Sequence, residues 1–282
     1  MGLFDGCLLA SDIDGTLLVS DYLPKRNLEA IEFFISEGGA FSLATGRTAG
    51  AVSTVTSQIK NLSPSIVANG SMIYDFANDR ALYEQFVPNE DRYIVKEVMD
   101  GCSTVGIEIH SGKQVLVANC NQETIDHEIY EKLEALPLAF EETLNYNWNK
   151  VLYLFANDDE AALVKKIISS CKHNSQFVDT SAIIDGRRRY YYEHVPKNIS
   201  KATTLKILCE KLNVRPGCCF AIGDYYNDLE MIKTADVGAA LSDSPGEVKA
   251  AADVIVGDVQ NGAVADFIDY LTERKKQNGR NY

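Results

Sequence analysis

The 282-residue sequence is short of positive charge: 27 Lys and Arg stand against 40 Asp and Glu, for a formal net charge of −13. Nucleic acids and anionic membranes both need a basic face, so this balance argues against either as a partner. An anionic ligand would have to be drawn in by local cations or by a metal. No apolar run approaches the roughly 18 residues of a membrane span. The opening Met1-Gly2-Leu3-Phe4-Asp5 lacks the basic stretch and long apolar run of a secretory signal, and Gly6 stands where a myristoylation signal expects Ser or Thr. The seven cysteines show no C-x-x-C spacing, which reads as reduced, mostly buried thiols of a cytoplasmic protein. His110, His127, His173 and His194 have no metal-ligand spacing, and no internal repeat or low-complexity segment is found. What is present is apolar mass. With 46% hydrophobic residues, the chain can build a sizeable core, as one large domain or two smaller ones.

The apolar pattern alternates strand and helix at both ends of the chain. Leu8 to Ile13 reads as a strand, Leu28 to Glu37 as a helix stopped by Gly38-Gly39, and Ala40 to Ala44 as a strand. Val52 to Ile59 reads as a helix, and Ser65 to Ala68 as a strand running into Asn69-Gly70. Late in the chain come a helix over Lys201 to Leu212, a strand over Cys218 to Ile222 and a short helix over Leu229 to Lys233. Short strands at Val237 to Ala240 and Asp253 to Val256 follow, then a closing helix over Ala263 to Arg274 and a polar tail to Tyr282. This is the pattern of an α/β fold with a parallel sheet covered on both faces.

The middle mixes helices (Glu90 to Cys102, Gln122 to Leu136, Asp159 to Lys172) with a hairpin turning at Ser111-Gly112. Strands are expected at Val151 to Ala156, Gln176 to Thr180 and Tyr190 to Val195, with a turn at Asp185-Gly186. The expected organisation is a core domain of residues 1–83 and 190–282 with an inserted α+β domain of residues 84–189. Trp148 and the Tyr190-Tyr191-Tyr192 run read as packing residues. Arg187-Arg188-Arg189 reads as a solvated turn or as a face toward an acidic substrate.

In an open parallel sheet, ligands bind beyond the carboxyl ends of the strands. Asp12, Thr45, Asn69 and Asp224 all follow directly on expected strands, so they can converge on one crevice. Asp14 and Asp228 would add further carboxylates, and Gly15 permits close backbone approach. Like charges 4 Å apart cost roughly 4 kcal/mol at an effective dielectric of about 20. A divalent cation would relieve this, and an all-oxygen ligand set favours Mg²⁺ over a soft metal. Thr45-Gly46-Arg47 is expected to open a helix, and its hydroxyl and free backbone N–H groups suit a phosphate oxygen; Lys201 supplies a compact cation. Taken singly, Asp14 and Asp228 also read as turn or cap residues, Thr45 as an N-cap and Lys201 as a solvated lysine at a helix start.

Together these segments resemble the motifs of the haloacid dehalogenase superfamily. Asp12-Ile13-Asp14-Gly15-Thr16-Leu17-Leu18 resembles its first motif, Ala44-Thr45-Gly46-Arg47 its second and Lys201 its third. Gly223-Asp224-x-x-Asn227-Asp228 resembles its fourth. The long insertion between the second and third motifs looks like the type IIB cap of the Cof-type branch, as do Ala68-Asn69-Gly70 and the Val248 to Asp253 stretch. The resemblance implies a Rossmann-like core with an α+β cap that sets substrate specificity. It implies a Mg²⁺-dependent phosphatase of a small phosphorylated metabolite, such as a sugar phosphate or a cofactor precursor. In that scheme Asp12 is the nucleophile, Asp14 the acid and base, and Thr45, Gly46, Arg47, Asn69, Asn227 and Lys201 serve the phosphate or substrate. Asp12, Asp14 (through its backbone carbonyl), Asp224 and Asp228 serve the metal. Ala202, Leu241-Ser242-Asp243-Ser244 and Pro196-Lys197-Asn198 depart from the family pattern, and these departures bear on substrate and loop shape. A phosphohexomutase of the same superfamily and a receiver-type phospho-acceptor are the alternatives. Substrate identity and oligomeric state are left open.

Overall fold

Leu8–Ser11 (β1) is a run of apolar and small residues buried throughout, as suits a strand covered on both faces. The structure, a computed structural model, describes residues 2–20, 22–184 and 186–279. After β1 come Lys25–Ser36 (α1), Ala40–Leu43 (β2), the short Ser53–Thr56 (α2) and Ser65–Val67 (β3). A 3₁₀ turn over Ala68–Gly70 leads into Met72–Asp75 (β4) and Arg80–Glu84 (β5). The helix expected over Val52 to Ile59 is thus reduced to one turn. The β4–β5 pair, which the sequence reading omitted, joins β3 in a separate three-stranded sheet.

The chain divides into two compact units. The first comprises Met1–Gly46, Ser53–Leu82 and Ser200–Tyr282, and the second Arg47–Val52 and Tyr83–Ile199. The second unit holds Tyr93–Gly101 (α3), Gly106–Ser111 (β6), Gln114–Asn119 (β7) and Gln122–Glu131 (α4). It continues with Ala135–Pro137 (β8), Phe140–Thr143 (α5), Lys150–Phe155 (β9) and Asp158–Ser170 (α6). Gln176–Asp179 (β10), Ala182–Ile184 (β11) and Arg187–Val195 (β12) complete it. Its sheet runs β10-β12-β9-β6-β7-β8, with β11 paired to β12. The alternation of strand residues sorts its two faces. Ile107, Ile109, Val151, Tyr153 and Phe155 join Val95 and Val98 of α3 and Val164 and Ile168 of α6 in one apolar core. Trp148 lies in that core, with its indole N–H donating to the Thr143 carbonyl at 2.8 Å.

Three boundaries differ from the sequence reading. The second unit extends to Ile199 rather than ending at Arg189, because Tyr190 to His194 pair with β9 inside its sheet. The helix expected to reach Leu136 stops at Glu131. Lys132 adopts a left-handed conformation (φ 53°), and the chain then turns into β8, parallel to β7. The expected turn at Asp185-Gly186 includes Asp185, which lies outside the described residues, as do Arg280 to Tyr282 of the expected polar tail. The rest of that tail is helical.

The first unit resumes with Lys201–Lys211 (α7), Cys219–Gly223 (β13), Leu229–Thr234 (α8), Val237–Leu241 (β14), Gly246–Ala251 (α9), Val254–Val256 (β15) and Ala263–Gly279 (α10). Its main sheet is five-stranded, in the order β15-β14-β13-β1-β2. The four pairings are all parallel. After β1 the chain moves outward to β2, and on returning it lays β13 on the other side of β1. The strand order therefore reverses beside β1, which is where an open α/β sheet leaves a crevice at its carboxyl edge. β3 approaches this sheet through a single parallel bridge between Ala44 and Ile66. Among the described residues, no helix is long and apolar enough to cross a membrane.

Candidate active site

Asp12 is the first residue beyond β1. Its backbone N–H still donates to the Ile222 carbonyl of β13 at 3.0 Å, so the carboxylate is delivered from a pinned backbone at the point of reversal. β13 ends at Gly223, which delivers Asp224 beside it. The turn from Asp224 to Asp228 is closed by Asp228 itself. Its Oδ2 accepts the backbone N–H groups of Asp224 and Tyr225 at 3.2 and 3.3 Å. One carboxylate oxygen from each of Asp12, Asp224 and Asp228 lies within 4.8 Å of the others.

Lys201 enters this cluster from the first position of α7. Ser200 caps that helix, with its side chain accepting the Thr203 N–H. The Lys201 ammonium donates to Asp12 Oδ1 at 2.6 Å and to Asp228 Oδ1 at 2.7 Å. Lys201 is 1% exposed and Asp228 0%, so this is a buried charge network rather than a surface pair. Burial alone would lower the Lys201 ammonium, but the Asp12 and Asp228 carboxylates outweigh it and hold it above the usual lysine range. The Asp12 carboxyl is pushed well above the carboxylate range by burial and then by the neighbouring Asp228 charge, with Lys201 opposing. Burial and Asp228 likewise raise Asp224 to about 7. With all three acids ionised, three carboxylates face one ammonium. These all-oxygen donors, with Asp12 and Asp224 raised, fit a hard divalent cation.

Two residues behind the cluster went unremarked in the sequence as site residues. Thr16 Oγ1 donates to Asp224 Oδ1 at 2.8 Å and fixes that carboxylate. Its place in the Asp12-to-Leu18 motif is the signal that could have found it. Ser200, the cap that starts α7 at Lys201, is the second. Gly15 has a firm reason to be glycine: its φ is +80°, and a Cβ there would lie 2.6 Å from Asp224 Oδ2.

Thr45 and Gly46 follow β2, and Thr45 is buried. The Thr45 N–H donates to the Ile66 carbonyl, and the Thr45 carbonyl accepts the Asn69 N–H, each at 3.0 Å. This locks the ends of β2 and β3 together. A Cβ on Gly46 would stand 3.1 Å from the Asn69 side-chain amide. Ala68 and Asn69 are both left-handed (φ 50° and 52°), a costly pair for non-glycine residues. Thr204 of α7 donates to the Gly70 carbonyl at 2.7 Å and holds this turn to the helix that carries Lys201.

Asp14 is partly exposed on the return after Asp12, bridged to Leu18. Asn227 is exposed on the turn between Asp224 and Asp228. Directly after Gly46 the chain passes into the second unit, and there the Arg47 guanidinium lies 3.5 Å from the Glu131 carboxylate of that same unit. Arg187 and Arg189 also belong to the second unit. Both pair with Glu123 and Asp126 on α4, which accounts for their charge without an acidic substrate.

The model of the haloacid dehalogenase-like hydrolase family matches residues 9–268. The chain belongs to that family. A haloacid dehalogenase-like hydrolase from Bacteroides thetaiotaomicron has the same fold at a TM-score of 0.83, with 24% identity over 94% of this chain and 99% of its own. A structure described as the subclass IIB sugar phosphatase BT4131 matches with a TM-score of 0.77 and 18% identity, covering 94% of this chain and 98% of its own. A Bacillus subtilis relative named 5-amino-6-(5-phospho-D-ribitylamino)uracil phosphatase is 24% identical, covering 93% of this chain and 97% of its own. Within this family fold, the first unit is the α/β core, and it contains every expected site residue except Arg47.

Proposed function

We propose that this hydrolase is a Mg²⁺-dependent phosphatase that cleaves a small phosphorylated metabolite through an aspartyl-phosphate on Asp12. The observation that carries the reading is the buried Asp12–Lys201–Asp228 network beside Asp224, at the point where the sheet order reverses. A carboxylate at a strand end, held by an ammonium and adjacent to further acids, has the parts for an in-line attack on phosphorus.

In this reading Asp12 attacks phosphorus and the alkoxide leaves. Asp14 gives that oxygen its proton and then takes a proton from the water that hydrolyses the acyl phosphate. Lys201 neutralises charge that builds on the phosphoryl oxygens, and its two carboxylate partners keep it protonated. Thr45, Gly46, Asn69 and Asn227 complete the phosphate contacts. Asp12 and Asp224 would hold Mg²⁺ with the backbone carbonyl of Asp14, and Asp228, whose two oxygens already accept hydrogen bonds, supports them. When bound, Mg²⁺ supplies charge neutralisation between the acids and the phosphate. Arg47 is kept with Thr45, Gly46, Asn69 and Asn227 as a substrate-binding candidate, its guanidinium also pairing with Glu131. The second unit is assigned as the cap that selects the leaving group, and the names of the sugar phosphatase and the Bacillus subtilis relative support a sugar phosphate or a phosphorylated cofactor precursor.

The test is release of inorganic phosphate from p-nitrophenyl phosphate with Mg²⁺, followed by a panel of phosphorylated metabolites. Asp12→Asn should reduce turnover to background. Undiminished release in that variant would sink the nucleophile assignment, and isomerisation of a hexose phosphate without phosphate release would favour a mutase.

A further inference from the structure

Cys209 lies near the end of α7 and Cys219 opens β13, and their sulfurs are 3.2 Å apart. Both residues are partly exposed. The chain between them is held in place. The Val214 N–H donates to the Cys209 carbonyl at 2.9 Å, and Asn213 and Gly217 take left-handed conformations that reverse the chain. Cys219 is pinned on both sides by Asp236: its N–H donates to Asp236 Oδ2 at 2.9 Å, and its carbonyl accepts the Asp236 N–H at 2.7 Å. A disulfide needs sulfurs about 2.05 Å apart, so closure requires a movement of only about 1 Å from the observed 3.2 Å.

We propose that Cys209 and Cys219 form a reversible thiol–disulfide site, oxidised by a hydroperoxide and reduced by a small dithiol, that ties α7 to β13. The Cys209 thiolate attacks one peroxide oxygen and the O–O bond breaks, giving a sulfenic acid and, after protonation, water or an alcohol. The Cys219 sulfur then attacks the sulfenic sulfur, and its proton leaves with the hydroxyl as water while the S–S bond forms. The order of events follows from the hydrogen bond between the thiols, which lowers Cys209 and raises Cys219. Burial and the acidic neighbours Asp236 and Glu210 oppose that lowering at Cys209.

Cys7 and Cys218 are both buried, and burial pushes the Cys7 thiol up to about 11. Cys120 is exposed, but it is held on the second unit. The link would join the far end of the helix that begins with Lys201 to the start of the strand that ends beside Asp224, so it would tie together two elements of the site without touching the cluster.

The experiment treats the full chain with hydrogen peroxide, blocks remaining thiols and maps peptides by mass spectrometry. A linked Cys209–Cys219 peptide should form, disappear with dithiothreitol, persist in Cys120→Ser and be absent from Cys209→Ser and Cys219→Ser. Oxidised wild-type protein should melt several degrees higher than reduced protein, with no such difference in Cys219→Ser. Seven intact thiols after oxidation, a linkage between other cysteines, or Cys209 driven to sulfinic acid beside a reduced Cys219 would overturn the proposal.

Discussion

Thr16 and Gly15 show how closely single residues control Asp224. The Thr16 hydroxyl fills one lone pair of Asp224 Oδ1, and Gly15 leaves the space that Asp224 Oδ2 occupies. Thr16→Val keeps the volume and removes the donor. Partners of metal ligands are worth about 10–100-fold in metal affinity, so the Mg²⁺ concentration for half-maximal activity should rise by about that factor. A Mg²⁺ titration of phosphate release reads this directly, and an unchanged midpoint would remove Thr16 from the site. Gly15→Ala meets two obstacles, a left-handed φ and a Cβ 2.6 Å from Asp224 Oδ2. It should lower activity more than Thr16→Val while leaving the melting temperature within a few degrees, since only an edge turn is disturbed.

At the scale of elements, the site depends on where two segments begin and end. Ser200 starts α7 one residue before Lys201, so the cap places the lysine on the first turn rather than in a loop. Ser200→Ala should cost about 1 kcal/mol of stability, the usual value of a lost N-cap. It should also lower turnover, because a frayed first turn loosens Lys201 from Asp12 and Asp228; denaturant unfolding and a turnover assay check the two effects.

The acids and Lys201 were legible in the sequence because each stands at a strand or helix boundary that apolar patterning marks well. Lys201 follows Ser200 ahead of a helical run, and Asp12 follows Leu8-Leu9-Ala10-Ser11. Motif spacing records chain order, so the passage of the chain into the second unit directly after Gly46, at Arg47, was not legible in it. The stop at Lys132 was missed because no glycine or proline marks it; a lysine takes the left-handed conformation there, and only tertiary pairing of β8 with β7 accounts for it. The β4–β5 pair was missed for a similar reason, since strands this short beside tight turns have too few residues to show a period.

For the molecule as a whole, the two units respond to acid in opposite directions. In the first unit, Asp224 has its folded value raised to about 7, and Asp12 is raised as well. Raised carboxylates bind protons in the folded state that the unfolded chain releases, so stability falls as pH climbs from about 4 to about 7 and returns on acidification. In the second unit, burial lowers His110 to about 4 and His194 to about 3. Neutral buried histidines give their full stability above about pH 6.5 and lose it as pH falls, by about 2 kcal/mol each between pH 6.5 and 5. His127 runs the other way: burial lowers it, but the Glu108 carboxylate dominates and raises it, so one group opposes two. Glu108, held at about 2 by His127 and His110 against its burial, stays ionised across this range.

The sequence contains one tryptophan, and Trp148 sits in the core of the second unit, so its fluorescence reports that unit. In protein stripped of divalent metal, the fluorescence melting midpoint should fall between pH 7 and pH 5. Calorimetry over the same range should show a second transition, assigned to the first unit, that holds or rises. Adding Mg²⁺ should lift that second transition most at pH 7 and above, where the acids must be ionised, and least at pH 5. A fluorescence midpoint that rises on acidification would mean that the buried histidines find partners in the folded state, and the assignment of opposite pH responses to the two units would fail.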